Sequence, residues 1–312
     1  MLQEKYKNQQ GQSLIEITIA IVVFGLVGSA IVSLILGGGN TLIQGEKQLQ
    51  IQLLTQEAME AVFSIKNRAW NEIAYSKSAL GTSSNQWNLV GEDTEEIIGD
   101  YKRIISFQNI CRNIDKNIVD CPGDYVDFHS KKVVVDIVWQ GTEKKSTTTE
   151  LTYLTNWDSK EWIQSDWSGS SSQAIWLDET KYDYSDGNID HASSGEIKLA
   201  IDGDGYKTSA YLISSAYNML DNSPVQIIEW DEILASSTDI QFQIRTSPNA
   251  SSSPGIWTNW YGANGIDTYF TNATGTIISI ALNDNQWMQY RVELLSNGSS
   301  TPTLKEIKIN YK

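Results

Sequence analysis

The 312-residue chain holds little of what most catalytic and metal-binding sites are made from, with two cysteines and two histidines in all. That leaves scant material for a Cys/His zinc site, a catalytic thiol or an imidazole-dependent triad, so that only a carboxylate-based enzyme stays open. Basic side chains are also scarce. Lys and Arg number 23 against 38 Asp and Glu, for a formal net charge of −15 and a pI near 4.5. Such a surface repels phosphate backbones, so no nucleic-acid partner is expected. Proline occurs five times, whereas Ser, Thr, Asn, Trp and Tyr are abundant. This composition suits extracellular β-structure with polar loops. The length itself suggests about two domains, each with its own core.

What is present starts with a stretch free of charge. Ile17 to Leu36 reads ITIAIVVFGLVGSAIVSLIL, and at about 1.5 Å per helical residue it matches the roughly 30 Å of a bilayer core. Apolar on every face, it has no side for water, which argues for a membrane lipid environment over a soluble helix. Lys5 and Lys7 precede it, partly offset by Glu4 and Glu16, and the other flank is uncharged until Glu46 and Lys47. The amino end is therefore expected to be cytoplasmic and everything after Gly37 extracytoplasmic.

Glu16 is an acid at the edge of this run, where a carboxylate is costly and needs a reason. The residues Gly11-Gln12-Ser13-Leu14-Ile15-Glu16 resemble the prepilin processing motif of type IV pilins and type II secretion pseudopilins. The resemblance implies that a prepilin peptidase cuts after Gly11 and that Gln12 becomes an N-methylated amino terminus. That family commonly has Phe where Gln12 stands. It also implies that Glu16 pairs with the terminal ammonium of a neighbouring pilin-like subunit, neutralising two charges near hydrocarbon and setting register. Gly25 falls where the family often carries a glycine that loosens the helix, and Gly28 follows. Ordinary helix packing is the alternative for both. The competitor for the whole segment is a secretory signal peptide cut near Gly37-Gly38-Gly39, but its apolar core is normally about 7 to 15 residues.

Beyond the glycines, Ile51, Leu54, Ala58, Val62, Ile65, Ala69 and Ile73 recur three or four apart, an amphipathic pattern that continues the helix outward. TQEAMEAVFSIKNRAW, Thr55 to Trp70, also looks like the corresponding helix of pilin-like proteins. Ser76 to Asn88 reads as a loop. Period-two alternation then marks strands at Tyr101–Phe107, Lys132–Trp139 and Thr147–Leu154, the last two joined by a polar turn around Gly141. Cys111 and Cys121 are expected to pair as a disulfide outside the membrane, a metal or redox role being the weaker alternative.

Ser165 to Ser172 reads as a flexible linker into a third region. From Asp166 to Lys312 acids outnumber bases 18 to 8, and alternation is clear at Ile240, Phe242 and Ile244, at Met288 to Leu294, and at Ile307, Ile309 and Tyr311. An antiparallel β-sandwich follows. WDEILASSTDIQFQIRTS, NQWMQYRVELLS and TPTLKEIKINY look similar to jelly-roll modules of bacterial surface proteins. The expected fold class is α+β: leader 1–11, transmembrane helix 12–36, amphipathic helix 37–75 on an antiparallel sheet at 76–165, and a sandwich domain at 166–312.

Asp202-Gly203-Asp204-Gly205 resembles part of a Ca2+ loop, but the closing acid twelve positions on would fall at Ile213, so a hairpin turn is the preferred reading. No other cofactor is expected. Trp257, Trp260 and Tyr261 are candidates for stacking on a surface glycan, with core filling as the alternative. Asp231 and Glu232, adjacent on a strand, point to opposite faces and are not read as a catalytic pair. Asn249, Asn272 and Asn297 satisfy N-x-[ST] without carrying weight in a bacterial chain. The expected function is therefore assembly and display: a minor pilin or pseudopilin whose β-sandwich head contacts a surface glycan or protein ligand. The alternative is a non-polymerising membrane-anchored adhesin or carbohydrate-binding protein, and no enzyme is expected.

Overall fold

The computed structural model describes residues 14–139, 146–191 and 195–312. Gly11, Gln12 and the turn at Gly141 lie outside them. The described residues fall into two units that divide between Gln56 and Glu57, and a long helix α1, Leu14–Arg68, contributes to both.

In the first unit α1 runs unbroken through Gly37, Gly38 and Gly39, and the large apolar side chains from Leu14 to Leu36 are exposed. Two hydroxyls in this stretch bond to their own helix, Thr18 to the Leu14 carbonyl at 2.7 Å and Ser29 to that of Leu26 at 2.9 Å. Internal satisfaction of this kind is what a lipid-facing helix requires.

In the second unit the last turns of α1 bury Ala58, Ala61, Val62 and Ile65. The helix stops at Arg68, short of the expected 75, because Ala69 is extended at φ −157° and a 3-10 turn, Trp70–Glu72, follows. Ala69 and Ile73 are buried all the same, so the apolar spacing outlasts the α-helix. The break lets Trp70 turn inward, where its indole N–H donates to the Phe128 carbonyl at 2.9 Å.

The first sheet has strands β1 (Tyr101–Arg112), β2 (Tyr125–Trp139) and β3 (Ser146–Thr155), with Lys77–Ser78 on its far side. All pairs are antiparallel, and the register sets Phe107 opposite Val133, Ile105 opposite Val135 and Arg103 opposite Ile137. These alternate positions form the buried face, as period two demands. Arg103 belongs to it, and its guanidinium is held by Glu57 at 2.9 Å and Glu96 at 2.8 Å. The segment read as a loop at Ser76 to Asn88 contains a hairpin, Leu80–Ser83 with Gln86–Leu89. Ser84 and Asn85 turn it at φ 50° and 62°, the left-handed pair that tight hairpins need. Cys111 and Cys121 are joined as a disulfide.

The rest is a sandwich of two antiparallel sheets. In one, β12 (Thr303–Tyr311) lies between β9 (Val225–Ile233) on one side and β4 (Lys160–Gln164) with β6 (Ile197–Leu199) on the other. The second sheet runs β5 (Tyr182–Ser185), β7 (Ser209–Ser214), β11 (Asn285–Ser296) and β10 (Thr238–Ser247), with β8 (Tyr217–Ser223) also on β11. Ile228, Trp230, Ile307 and Ile309 meet Phe242, Ile244, Met288 and Tyr290 in the core between them.

The sandwich reaches further back than Asp166. Strand β4 pairs along β12, with Trp162 opposite Ile309. The 165–172 stretch is not a slack linker: Trp167 is fully buried and donates its indole N–H to the Tyr290 hydroxyl at 2.9 Å. Gly169 and Ser172 bond backbone to backbone with Thr180 and Asp183. Nor is the sandwich separate from the first sheet. Asn71 donates to the Val225 and Ile278 carbonyls, Asn156 to the Gln226 side chain at 2.8 Å, and Lys312 pairs with Asp158 at 2.5 Å.

Candidate functional site

Glu16 sits in the first turn of α1, exposed, at the head of the apolar run. A methyl group added at Gly25 or Gly28 would meet nothing in this chain. Among the described residues, then, no intramolecular contact requires glycine at either position.

The second candidate lies on the outer face of the β5-β7-β11-β10 sheet, opposite the core. Because Ile240, Phe242 and Ile244 point inward, Gln241, Gln243 and Arg245 of β10 point outward. The register places them across from Glu293, Arg291 and Gln289 of β11. Tyr211 and Ile213 of β7 extend two of these rows, opposite Glu293 and Arg291, and Tyr184 of β5 continues one. The result is a polar ladder edged by aromatic rings. Gln289 accepts from Arg245 Nε at 2.8 Å and Nη2 at 2.5 Å, Gln243 accepts from Arg291, and Gln241 donates to Glu293 at 2.7 Å.

The segment after β10 folds over one side of this face. Gln243 donates to the Thr268 carbonyl at 2.8 Å, which pins the segment down. The Arg245 guanidinium lies 4.6 Å from the Trp257 ring centroid and 4.4 Å from that of Trp260, and Arg291 lies 5.3 Å from Trp260. Burial pulls the Arg245 pKa below its ordinary value, Asp183 opposing and Arg291 adding to the shift. Tyr184 and Tyr211 sit beside this cluster with ring centroids 5.6 Å apart, and hydrogen bonding with Tyr184 raises the Tyr211 pKa. Gln243 and Gln289 are themselves buried and hold the arginines, while the half-buried rings and guanidinium edges can stack on a sugar face and grip its substituents at once.

The expected trio Trp257, Trp260 and Tyr261 therefore divides. The two tryptophans, half-buried, lie against the outward-pointing Arg245. Tyr261 pairs with Ile244, an inward position, and packs on the core. The two tryptophans precede the short strand Tyr261–Gly262, and the pairing with Ile244 that begins at Tyr261 accounts for the split. The arginines, glutamines and Tyr184–Tyr211 were not singled out from sequence. The signal existed in the outward positions of β10 and β11, but the cross-strand register that unites them did not.

Asp202 and Asp204 lie at a hairpin, Ile201–Asp202 with Gly205–Tyr206, and Gly203 supplies the positive φ of 63°. The Asp202 carboxylate is 3.0 Å from Lys207, and among the described residues no three acids, histidines or cysteines gather. Asp231 and Glu232 flank a bulge in β9, and Glu232 accepts from the Trp230 indole at 2.6 Å. Burial raises the Glu232 pKa, with the Trp230 bond opposing and the charges of Asp239 and Asp231 adding.

Residues 6–38 match the family model of the prokaryotic N-terminal methylation motif. No curated protein matches the chain. Among solved structures, a study of carbohydrate-binding modules from the β-sandwich superfamily aligns at 9% identity over 69% of this chain and 90% of that one, TM-score 0.24. A xylan-binding module aligns at 17% identity over 39% and 80%, TM-score 0.18. An infectious bursal disease virus structure aligns at 9% identity over 58% and 42%, TM-score 0.22. At such scores these three likenesses carry no argument about the chain.

Proposed function

We propose that a prepilin peptidase cuts this chain after Gly11 and that the apolar part of α1 then holds it in a membrane, amino end inward. It joins other pilin-like subunits as a minor pilin or pseudopilin and displays its sandwich outside for surface recognition or adhesion, without catalysing a reaction. One observation supports this most. The methylation motif over residues 6–38 leads into a helix that is exposed and apolar to Leu36 and continues as the same element to Arg68, where its inner face is buried. A signal peptide, by contrast, ends in a cleavage site and not in the spine of a folded unit.

Mass spectrometry of the membrane-extracted protein tests the reading. A mature amino terminus at Gln12 is expected, and the Gly11→Ala variant should keep the leader. A terminus near Asn40, or normal maturation of the variant, would sink it. Imaging of tagged cells decides assembly, since tagged protein that never enters filaments would point to a solitary membrane-anchored adhesin. The outer face of the sandwich, with its rings and polar ladder, supports a glycan as the recognised surface.

A further inference from the structure

We propose that this outer face takes a glycan whose otherwise neutral chain carries isolated carboxylates, a uronic-acid-containing polysaccharide, with one carboxylate received between Arg245 and Arg291. The proposal rests on the reading of the sandwich as a glycan-recognising head.

Between Asp166 and Lys312 the sequence has two arginines, and they are these two. The register sets Arg245 opposite Gln289 and Arg291 opposite Gln243, so the arginines are diagonal neighbours on adjacent strands, and both lie over Trp260. In a region where acids outnumber bases, each would be expected to have a carboxylate partner. Instead their partners are neutral: the amide of Gln289 for Arg245, and the amide of Gln243 with the Tyr269 hydroxyl for Arg291. The nearby acids are engaged by amides too, Asp183 by Gln289 at 3.4 Å and Glu293 by Gln241 at 2.7 Å. The two guanidinium groups are thus held side by side, and among the described residues each nearby carboxylate reaches them only through a neutral side chain, Asp183 through Gln289 and Glu293 through Tyr269.

Such an arrangement costs stability in the free protein, because a half-buried guanidinium beside another is poorly solvated. For a neutral sugar it gains little, since a glutamine offers donors to a hydroxyl without the desolvation of a charge. For a carboxylate it gains much: the donors that Gln289 and Gln243 leave over on the two guanidinium groups can meet its two oxygens, and the bonds are charge-assisted. The indoles of Trp257 and Trp260 fix the Arg245 fork and leave fewer rotamers to freeze on binding. The rest of the chain narrows the ligand. A net charge of −15 repels a densely charged polyanion beyond the immediate contact, and screening over about 8 Å at physiological salt removes that repulsion only in part. Single carboxylates set in a neutral chain meet the arginines without that penalty.

The test titrates full-length protein in detergent with hyaluronan, glucuronoxylan and alginate, each native and after carboxyl reduction, and with heparin. At least one native uronate polymer should bind, with a loss of about tenfold or more on carboxyl reduction and a similar loss in Arg291→Gln. The unfolding temperature of that variant should be no lower than the parent's, so that lost binding is not lost folding. Arg245→Gln serves as the second variant, and Arg245→Lys should rescue only partly, since it restores charge without the fork. Equal binding of native and reduced polymers would overturn the carboxylate and leave a neutral-glycan head standing. Tighter binding of heparin would replace the isolated carboxylate with dense sulfate. Binding unaffected by either arginine would remove the site, and no binding to any polymer would remove the glycan reading with it.

Discussion

His129 Nε2 of β2 lies 3.2 Å from Glu229 Oε1 of β9, a pairing one hundred residues apart that joins the first sheet to the sandwich. The bond to Glu229 raises the His129 pKa, burial opposes it, and the charges of Glu229, Asp127 and Glu161 add to the rise. The stabilisation is fully present below the unfolded histidine value near 6.5 and is lost as pH climbs through the raised folded value. Both side chains keep solvent contact, so the contribution is about 1 kcal/mol or less. Melting temperature should decline from about pH 6.5 upward, and Glu229→Gln should flatten that decline. A profile identical in the variant would dismiss the pair as a contributor.

Asn71 makes the same seam from the helix side. Nearly inaccessible, it donates to the Val225 and Ile278 carbonyls and to Asn283. Asn71→Ala strands two buried carbonyls, and denaturant unfolding should show a loss of about 2 to 4 kcal/mol. A loss below about 0.5 kcal/mol would mean that water replaces the amide.

The Cys111–Cys121 bond closes a short loop ahead of β2. By the chain-entropy estimate, replacing both cysteines with serine should cost about 2 to 3 kcal/mol. The parent should fall to the same stability in reductant. If reductant lowers the double variant equally, the disulfide is not the source.

Replacing Glu16 with Val removes the partner assigned to a neighbour's terminal ammonium. Leader removal and membrane insertion should be unchanged while the share recovered in sheared filaments drops. Recovery equal to the parent would separate Glu16 from assembly.

The sandwich boundary is open to direct test. Trp162 of β4 stacks on Tyr217 with centroids 4.9 Å apart and meets Trp176 at 5.1 Å. A fragment from Lys160 to Lys312 should therefore be more stable than one from Asp166 by about 3 kcal/mol or more, the scale of deleting a buried aromatic. Equal stability by denaturant melts would restore the later boundary.

Much of this molecule was legible without coordinates, and the reason is periodicity. A charge-free run from Ile17 to Leu36 has the length and composition to cross a membrane, and the alternation at Val133, Val135 and Ile137 or at Ile240, Phe242 and Ile244 leaves one face to bury. Local composition misled where a single residue overruled its neighbours. Trp167 anchors a Ser/Gly stretch that reads as a linker, and Ser84-Asn85 turns a hairpin inside what reads as a loop.

The sequence by itself determined the long apolar helix, the prepilin-type motif, the helix-then-strand order and the inward faces, because each depends on spacing along one segment. Only the tertiary structure decided which outward faces meet. Arg245 and Arg291 are 46 positions apart, and His129 and Glu229 one hundred. Cross-strand register and sheet docking are set by the summed burial of both sheets, a quantity that no single stretch of chain contains.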